Sequence, residues 1–556
     1  MTYVDAIHKR DTDEILVVER VDGKRIYKTI PAQYVFYYPD SRGLHKTIYG
    51  NPVSKFVSDR IREFNGKVKE YKNNGLNLFE SDLNPVFNAL SIHYNNSETP
   101  ILNIGFFDIE ADYDPDRGFA LVTDPFNKIT AVSLYLSHLK KNITLALVPP
   151  TLTMDSAEIL VKGIPDVFLY EEETEMLSTF LMLIEDIDVL SGWNSTEYDI
   201  PYIIGRLQRI LSDRVNDMCL WNEKPRKRVY QSKFGRMVES YDLVGRIHLD
   251  YLELYRKHSG SELHSFSLNA VGELEVKETK IPYEGSLDEL YKNDFGKFVL
   301  YNKQDVDLLV KIDAKKRYIE LANQVAHANC VLLKTTMGTV ALVEQAIVNE
   351  AHDLKLVVPD RKAEDIKDED STDEDDDEDD EDKPVVGAYV SDPSVGLHSW
   401  IGCIDINSLY PSTIRALNMG PETIVAQLRP THTDAFIKDR AEKGVKAQQL
   451  WEGVFAVLEY DLVMNQSDDI IYVDFEDGNF EELTGKQIYE MIFNAENYLC
   501  ISANGTIFRT DKPGIIPGLL ARWYSERKIM QEKQKYYEDL SKGVEISEEL
   551  LRNLRK

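Results

Sequence analysis

The sequence predicts an α/β protein that is divided into several domains. Its 556 residues are too many for one hydrophobic core, which indicates three or more domains. Hydrophobic residues make up 43% of the chain and charged residues 29%, a balance typical of soluble globular proteins. Short runs of β-type residues also alternate with longer stretches in which apolar residues recur at helical spacing.

The composition argues against a membrane protein and against a zinc protein. No apolar run reaches the roughly 18–20 residues that a membrane span needs. The opening MTYVDAIHKRD does not have the pattern of a signal peptide. The four cysteines are scattered without a CxxC pair, which favours a reducing cytosol.

The net charge of −31 does not exclude a nucleic-acid partner, because much of it is local. Residues 364–382 contain fifteen acids and one lysine. A run of like charge is most often a solvated, disordered loop, and a docking tail for a basic partner is the alternative.

The first 148 residues predict a small α/β module followed by a sheet. Residues 1–100 alternate β-type runs such as EILVVER and YVFYYP with turns, and no catalytic cluster occurs there. Residues 101–148 then predict three or more strands, and a helix is predicted from about 171 to 187.

The stretch NIGFFDIEADYD, residues 103–114, is the first with chemical interest. Its apolar run predicts a strand, and strand residues two apart point to the same face, so Asp108 and Glu110 lie side by side. Two neighbouring carboxylates repel each other, and a hard divalent cation such as Mg²⁺ would relieve this. The alternative is an edge strand with two solvated acids, since Asp-x-Glu is a common tripeptide.

Two later stretches offer further acids. An apolar run ends at Gly192, and a helix is predicted near Pro201, with Asp199 just before it. Residues 297–322 predict a helix on which Tyr301 and Asp305 share one face. A solvent-facing salt bridge is the alternative for an aspartate on a helix. Between these stretches, residues 226–243 predict a hairpin with a basic tip.

The C-terminal third predicts a second acid-bearing region. An apolar strand is predicted to end at Asp405, with a tight turn and a helix from near Pro411 behind it. Residues 430–510 have no informative pattern, and residues 514–540 predict a long basic helix.

The four acids of the first region together predict a metal-dependent nuclease. Asp108, Glu110, Asp199 and Asp305 could hold two metal ions about 3.5–4 Å apart, the arrangement used in phosphodiester cleavage, while Tyr301 orients the attacking water.

These motifs also resemble a known family. FDIE, NSTEYD and YNKQD resemble the three exonuclease motifs of family-B DNA polymerases, and DINSLYPS resembles the first palm motif of that family. The likeness is greatest to the polymerases of T-even-type tailed bacteriophages. It covers nearly the whole chain, with SGWNSTEYDIPY and NMGPETI as further support.

The resemblance implies a role for each matching residue. Asp108, Glu110, Asp199 and Asp305 would bind the exonuclease metals, Mg²⁺ or alternatively Mn²⁺, beside Tyr301. The implied DNA-binding residues are Lys233, Phe234 and Arg236 at the hairpin tip, and Gly387 and Ala388 between the two sites. The polymerase metals would be bound by Asp405 and the Ile406 carbonyl. The nucleotide would be bound by Ser408, Leu409 and Tyr410, and its triphosphate by Arg527.

The resemblance also predicts the domain organisation. An RNase H-like 3′→5′ exonuclease domain at 101–335 would be accompanied by an N-terminal α/β domain, a partial palm and the first part of the fingers. The remaining boundaries are 1–100 and 336–384 for the N-terminal domain, with an acidic disordered loop at 363–383, then 385–511 for the palm and 512–556 for the fingers.

Three parts of the family pattern do not occur in this sequence: the second fingers helix with its KxxxNSxYG motif, the palm hairpin with its YGDTDS motif, and the thumb. We therefore expect the N-terminal part of a replicative DNA polymerase whose DNA synthesis needs a second chain; a truncated piece is the equal alternative. A stand-alone exonuclease and a non-catalytic assembly subunit are the rival functions. The implied partners are primer-template and single-stranded DNA, dNTP, a C-terminal polymerase chain and a sliding clamp, without a membrane, in the cytoplasm of an infected bacterial host.

Overall fold

A computed structural model describes residues 2–95, 97–231, 237–260, 263–361, 393–445, 450, 451, 454 and 456–541. The chain divides into two compact units. Unit 1 comprises residues 1–45 and 52–349, and unit 2 comprises residues 46–51 and 350–556. Both units mix helices and strands, which confirms the predicted α/β class. The finer five-segment division stays a prediction.

Unit 1 opens with β-structure, as the sequence predicts. Its first strands and helices are β1 (Tyr3–Lys9), β2 (Glu14–Val21), β3 (Lys24–Pro31), β4 (Tyr34–Pro39), β5 (His45–Thr47, mostly in unit 2), β6 (Pro52–Ser58), α1 (Ile61–Asn73) and α2 (Pro85–Tyr94). Strands β1, β2 and β3 form an antiparallel sheet, and β4 pairs with β6.

The centre of unit 1 is a six-stranded sheet. Its elements, with the helices between them, are β7 (Ile104–Ala111), β8 (Ile129–Leu136), β9 (Lys141–Leu147), α3 (Met154–Val161), β10 (Val167–Tyr170), α4 (Glu173–Leu183), β11 (Val189–Ser191), α5 (Asp199–Ile210), β12 (Arg226–Gln231), β13 (Met237–Asp242) and β14 (Ile247–His248). The strand order is β10-β9-β8-β7-β11-β14, and β12 with β13 forms a separate antiparallel hairpin, as predicted.

Further helices follow the strands of the central sheet in unit 1. They are α6 (Tyr251–His258), α7 (Leu268–Val276), α8 (Leu287–Asn293), α9 (Phe295–Lys316), α10 (Tyr318–Ala328) and α11 (Thr339–Asp353, which continues into unit 2). Phe107 belongs to the apolar core that contains α4 and α5, whereas Phe106 belongs to the core that contains α9. The sheet is therefore covered on both faces.

A buried ion network fixes the first sheet of unit 1 to the central one. Arg20 on β2 donates to Asp188, immediately before β11, with its Nε 2.6 Å from the carboxylate. Arg25 on β3 reaches the same carboxylate at 3.0 Å. Because both Arg20 and Asp188 are almost fully buried, loss of either partner would leave a buried charge that is only partly compensated, by Arg25 or by Asp186.

Unit 2 contains a five-stranded antiparallel sheet in the stretch that had no informative sequence pattern. Its elements are β15 (Leu356–Val357), α12 (Leu409–Ala416), β16 (Ile424–Leu428), α13 (Thr431–Glu442), α14 (Leu458–Met464), β17 (Ile470–Phe475), β18 (Phe480–Thr484), α15 (Gly485–Phe493), β19 (Leu499–Ile501), β20 (Thr506–Arg509) and α16 (Ile515–Ser541). The order is β18-β17-β16-β20-β19, and α14 and α15 contribute to its core.

Candidate exonuclease site

Asp108 and Glu110 lie on an interior strand. β7 pairs antiparallel with β8 from Gly105 to Ala111 and parallel with β11 at Ile104, Gly105 and Phe106, so the alternative of an edge strand is wrong. Phe106 packs in the core on the α9 side, and the alternation of strand side chains places both acids on that side. The pairing shifts register between Glu110 and Ala111, a bulge that ends the regular ladder next to the acids.

Helix α9 brings the next acid to this strand. Asp305 is buried, and one ligand oxygen from each of Asp108, Glu110 and Asp305 lies within 4.8 Å of the others. Among the described residues, no other group of three or more histidine, cysteine or acidic side chains meets that condition. Tyr301 lies one helical turn before Asp305 and is also buried, so the predicted sharing of a helix face is confirmed.

Asp199 joins the cluster from the start of α5. The helix begins at Asp199 itself, two residues before Pro201. The Ile109 backbone N–H donates to Asp199 Oδ1 at 3.2 Å, which ties this acid to the backbone between Asp108 and Glu110. The loop before α5 also runs close to β7 at Gly192. A Cβ at this position would lie 2.9 Å from the Phe107 carbonyl oxygen, so the close approach of the Gly192 backbone to Phe107 requires glycine.

A second aspartate holds the loop that carries Asp199. Asp250 Oδ1 accepts from the Asn194 backbone at 3.0 Å and from Leu252 at 2.9 Å, which also caps α6. Its Oδ2 accepts from the Thr196 backbone at 2.9 Å. Asn194 adopts a left-handed φ of 63°, a conformation that asparagine tolerates better than most residues. Asp250 therefore positions the loop without belonging to the acid cluster.

Burial and repulsion make the four carboxyl groups hard to ionise together. Burial first, and then the charge of Asp305, raises the pKa of Glu110 to about 8. Burial also raises the pKa of Asp199 to about 7. Burial followed by the charges of Glu110, Asp199 and Asp305 raises the pKa of Asp108 well above its usual range. Without a bound metal ion, the folded chain therefore keeps protons on some of these carboxyl groups at neutral pH.

Lys280 is a cation at the site that the sequence did not predict. Its Nζ lies 2.6 Å from Asp305 Oδ2 and 3.3 Å from the Tyr301 hydroxyl. Burial disfavours the ammonium, but the carboxylates of Asp305 and Asp108 outweigh this and raise the Lys280 pKa. Burial, together with Asp305, raises the Tyr301 pKa, so this hydroxyl keeps its proton. Lys280 lies outside the recognised motifs, and no local pattern marks it.

The donor set fits a divalent cation. Asp108, Glu110 and Asp305 offer hard carboxylate oxygens at close range, and Asp199 adds a fourth carboxylate to the same electrostatic cluster. Asp305 Oδ1 is buried and has no hydrogen-bond partner in the described part of the chain, so it is available as a ligand. The assignment of these acids as metal ligands remains a prediction.

The predicted polymerase residues are placed very differently. The expected strand ending at Asp405 is wrong: residues 399–406 have no regular secondary structure, and Asp405 is exposed. A strand needs a neighbouring backbone to pair with, and none of the described strands pairs with this segment. The predicted helix behind it is confirmed as α12, and Ser408 precedes it with a left-handed φ of 54°.

The roles of the remaining predicted residues of that region stay a prediction. Ile406, Leu409 and Tyr410 are exposed, and Arg527 lies exposed on α16. Five predicted DNA-binding residues and the acidic loop at 363–383 lie outside the described residues. The five are Lys233, Phe234, Arg236, Gly387 and Ala388.

Comparison with known proteins defines the class. Residues 70–271 match the exonuclease domain of DNA polymerase family B, and residues 330–545 match DNA polymerase family B. The chain therefore belongs to family B of the DNA polymerases, with an exonuclease domain and a segment of the polymerase domain.

Its relatives include phage enzymes. The DNA-directed DNA polymerase of Escherichia phage RB69 is 24% identical over 421 residues, which cover 71% of this chain and 44% of that protein. The corresponding enzyme of Enterobacteria phage T4 is 28% identical over 276 residues, or 49% of this chain and 29% of that protein. The DNA polymerase of Paramecium bursaria Chlorella virus NY2A is 26% identical, covering 60% and 36% respectively.

These matches span less than half the length of each relative. In the part of the chain that the structure describes, no helix is both long enough and apolar enough to cross a membrane.

Proposed function

We propose that unit 1 is a 3′→5′ exonuclease that removes nucleotides from the end of single-stranded DNA. The observation that carries this proposal is the group formed by Asp108, Glu110 and Asp305, with Asp199 beside it. In this proposal the four acids bind two Mg²⁺ ions. When bound, such ions activate water and stabilise the leaving oxygen in phosphodiester cleavage.

The neighbouring side chains would support this reaction without replacing the cation. Tyr301 keeps its hydroxyl proton, and its oxygen is held 3.3 Å from Lys280 Nζ. It can therefore donate a hydrogen bond to the attacking water or to a phosphate oxygen. Lys280 offsets part of the charge of Asp305 and limits repulsion between the acids. The basic hairpin of β12 and β13 is our candidate for guiding the DNA end.

We also propose that this exonuclease proofreads a replicative polymerase in the cytoplasm of an infected bacterial host. Synthesis by the family uses primer-template DNA and dNTP. In this proposal it needs a C-terminal chain that provides the second palm aspartate, the fingers lysine and the thumb. The motif DINSLYPS supplies one acid, Asp405, whereas metals that bridge the phosphates need more than one well-placed acid. A sliding clamp as a further partner stays a prediction.

An exposed apolar segment also supports the need for additional palm sequence. Trp400 and Ile404 are almost fully accessible on the same irregular stretch as Asp405. Large apolar side chains grouped in this way are typical of surfaces that another polypeptide covers. Purified C-terminal chain, added to this chain, should restore templated primer extension. Extension by the 556-residue chain alone would contradict the proposal.

The exonuclease is tested with single-stranded DNA that is labelled at one end. With a 5′ label and Mg²⁺, the 556-residue chain should generate a ladder of progressively shorter products. With a 3′ label, the first product should be the released mononucleotide. EDTA should stop both reactions, and Mn²⁺ should restore them. Internal cuts at the earliest time points, or digestion that begins at the 5′ end, would contradict the proposed polarity.

A further inference from the structure

Asn302 is a buried amide between the strand and the helix that carry the acids. It lies on α9, three residues before Asp305, and is fully inaccessible to solvent. Its Nδ2 lies 2.8 Å from Asp108 Oδ2, and the same nitrogen is 3.5 Å from the Asp108 backbone oxygen. Within the described ranges, no other side chain donates a hydrogen bond to the Asp108 carboxylate.

We propose that Asn302 is a positioning residue that orients Asp108 as a ligand for a divalent cation. This inference rests on the exonuclease proposed above. The amide N–H holds Oδ2 of Asp108, which fixes the carboxylate plane and leaves Oδ1 free to bind the cation. Carboxylates that bind metals are usually held by hydrogen bonds of this kind, and their loss weakens metal binding.

The helix itself does not require an amide at this position. Val299 and Val306, one turn before and one turn after, are fully buried, so an apolar side chain would suit this face. Burying an amide is unfavourable unless its polar atoms find partners.

The second polar atom of Asn302 also points to a ligand. Its Oδ1 is buried and has no partner among the described residues, and the same holds for Asp305 Oδ1. A buried acceptor is normally satisfied by a protein donor or by ordered water. A hydrated cation held by Asp108 would bring such water molecules to this amide.

The inference is tested by titrating Mn²⁺ into the full 556-residue chain, without DNA. The same titration is run on the double variant Asp108→Ala/Glu110→Ala. The relevant component is the Mn²⁺ binding that the parent chain has and the double variant lacks, because weak binding to acids elsewhere is common to both. Leucine has the branched shape of asparagine but is larger and cannot donate a hydrogen bond, so Asn302→Leu should weaken this component by about 10–100-fold. Asn302→Ala gives the same comparison if leucine is not accommodated.

Asn323→Leu is the matched control. Asn323 is also buried on a helix and donates to the Pro100 backbone oxygen at 3.0 Å, away from the acids. It should leave Mn²⁺ affinity unchanged, and circular dichroism should show all variants folded. Unchanged Mn²⁺ affinity in both Asn302 variants, or an equal loss in Asn323→Leu, would overturn the inference. If the parent chain has no Mn²⁺ binding that depends on Asp108 and Glu110, the proposed exonuclease fails instead.

Discussion

The two acid-bearing regions begin from similar sequences and reach opposite structures. In each, an apolar β-type run leads to an aspartate: IGFFDIE contains Asp108, and WIGCIDI contains Asp405. The first run becomes the interior strand β7, and further acids from α5 and α9 meet its carboxylates. The second has no strand partner among the described residues and stays exposed. An apolar run forms a strand only where a neighbouring backbone completes its hydrogen bonds.

The largest difference should appear in nuclease activity. Asp108→Ala with Glu110→Ala removes two of the clustered carboxylates, and it should lower exonuclease activity by more than the roughly 100-fold that loss of an indirect metal contact can cost. Asp405→Ala should leave the activity within about two-fold. Release of labelled nucleotide under single-turnover conditions measures both. Comparable losses in the two variants would remove the distinction between the regions.

The two regions should also differ in how much their apolar side chains contribute to the stability of the chain. Phe107 is fully buried beside Asp108, and Phe107→Ala should cost about 3–5 kcal/mol of unfolding free energy because it leaves a cavity. Trp400 is fully exposed, and Trp400→Ala should change stability by less than about 0.5 kcal/mol. Urea unfolding followed by circular dichroism gives both values. A large loss for Trp400→Ala would indicate that this segment packs within the isolated chain.

The charge of the exonuclease cluster should appear as a pH effect. The pKa values of Glu110 and Asp199 are raised to about 8 and about 7, whereas unfolded carboxyl groups titrate near pH 4. Between roughly pH 4 and 8 the folded chain therefore binds more protons than the unfolded chain, and its stability falls as pH rises. In EDTA the unfolding midpoint should be roughly 5 °C lower at pH 8.5 than at pH 6.

Mg²⁺ should remove most of this pH dependence, because it replaces the protons as the counter-charge. Asp108→Ala with Glu110→Ala should show a smaller dependence in EDTA and a smaller response to Mg²⁺. The same pH dependence in the parent and in this variant would locate the responsible groups elsewhere in the chain.

The smallest expected effect concerns Lys280. Lys280→Met removes the ammonium that contacts Asp305 and should lower the unfolding midpoint in EDTA by about 2–4 °C, with a larger recovery on adding Mg²⁺. Lys311→Met is the control, since its ammonium pairs with Glu278 at 2.6 Å on an exposed surface and should contribute little. Equal shifts of the unfolding midpoint in the two variants would show that Lys280 stabilises the acid cluster no more than an exposed ion pair stabilises the surface.

Much of unit 1 could be predicted because its signals are local. The acids of β7, the beginning of α5 and the face of α9 follow from strand alternation and helical spacing. Lys280 and Asp250 could not be predicted, because they come from segments whose approach to the acids depends on tertiary packing. Asn302 lies inside a recognised motif, but its contact with Asp108 exists only once α9 packs on β7.

Unit 2 shows the opposite limit. Its sheet is built from strands of only three to six residues, which are too short for an alternating pattern to stand out. The segment before Asp405 has the pattern of a strand but no partner in the described part of the chain. The pattern of apolar side chains indicates which residues can be buried. Whether the segment forms a strand depends on a second strand that pairs with it.

The interior position of β7 has a consequence for local unfolding. Its backbone pairs with β8 from Gly105 to Ala111 and with β11 at Ile104, Gly105 and Phe106, and Phe107 is buried in the core beneath it. Amide hydrogens on such strands exchange with solvent only through the largest openings of the structure. Deuterium should therefore enter Gly105 and Phe106, which pair on both sides, later than residues 399–406. Partial opening that frees loops and termini would leave Asp108 and Glu110 in register, so these two acids should be displaced only when β7 separates from β8.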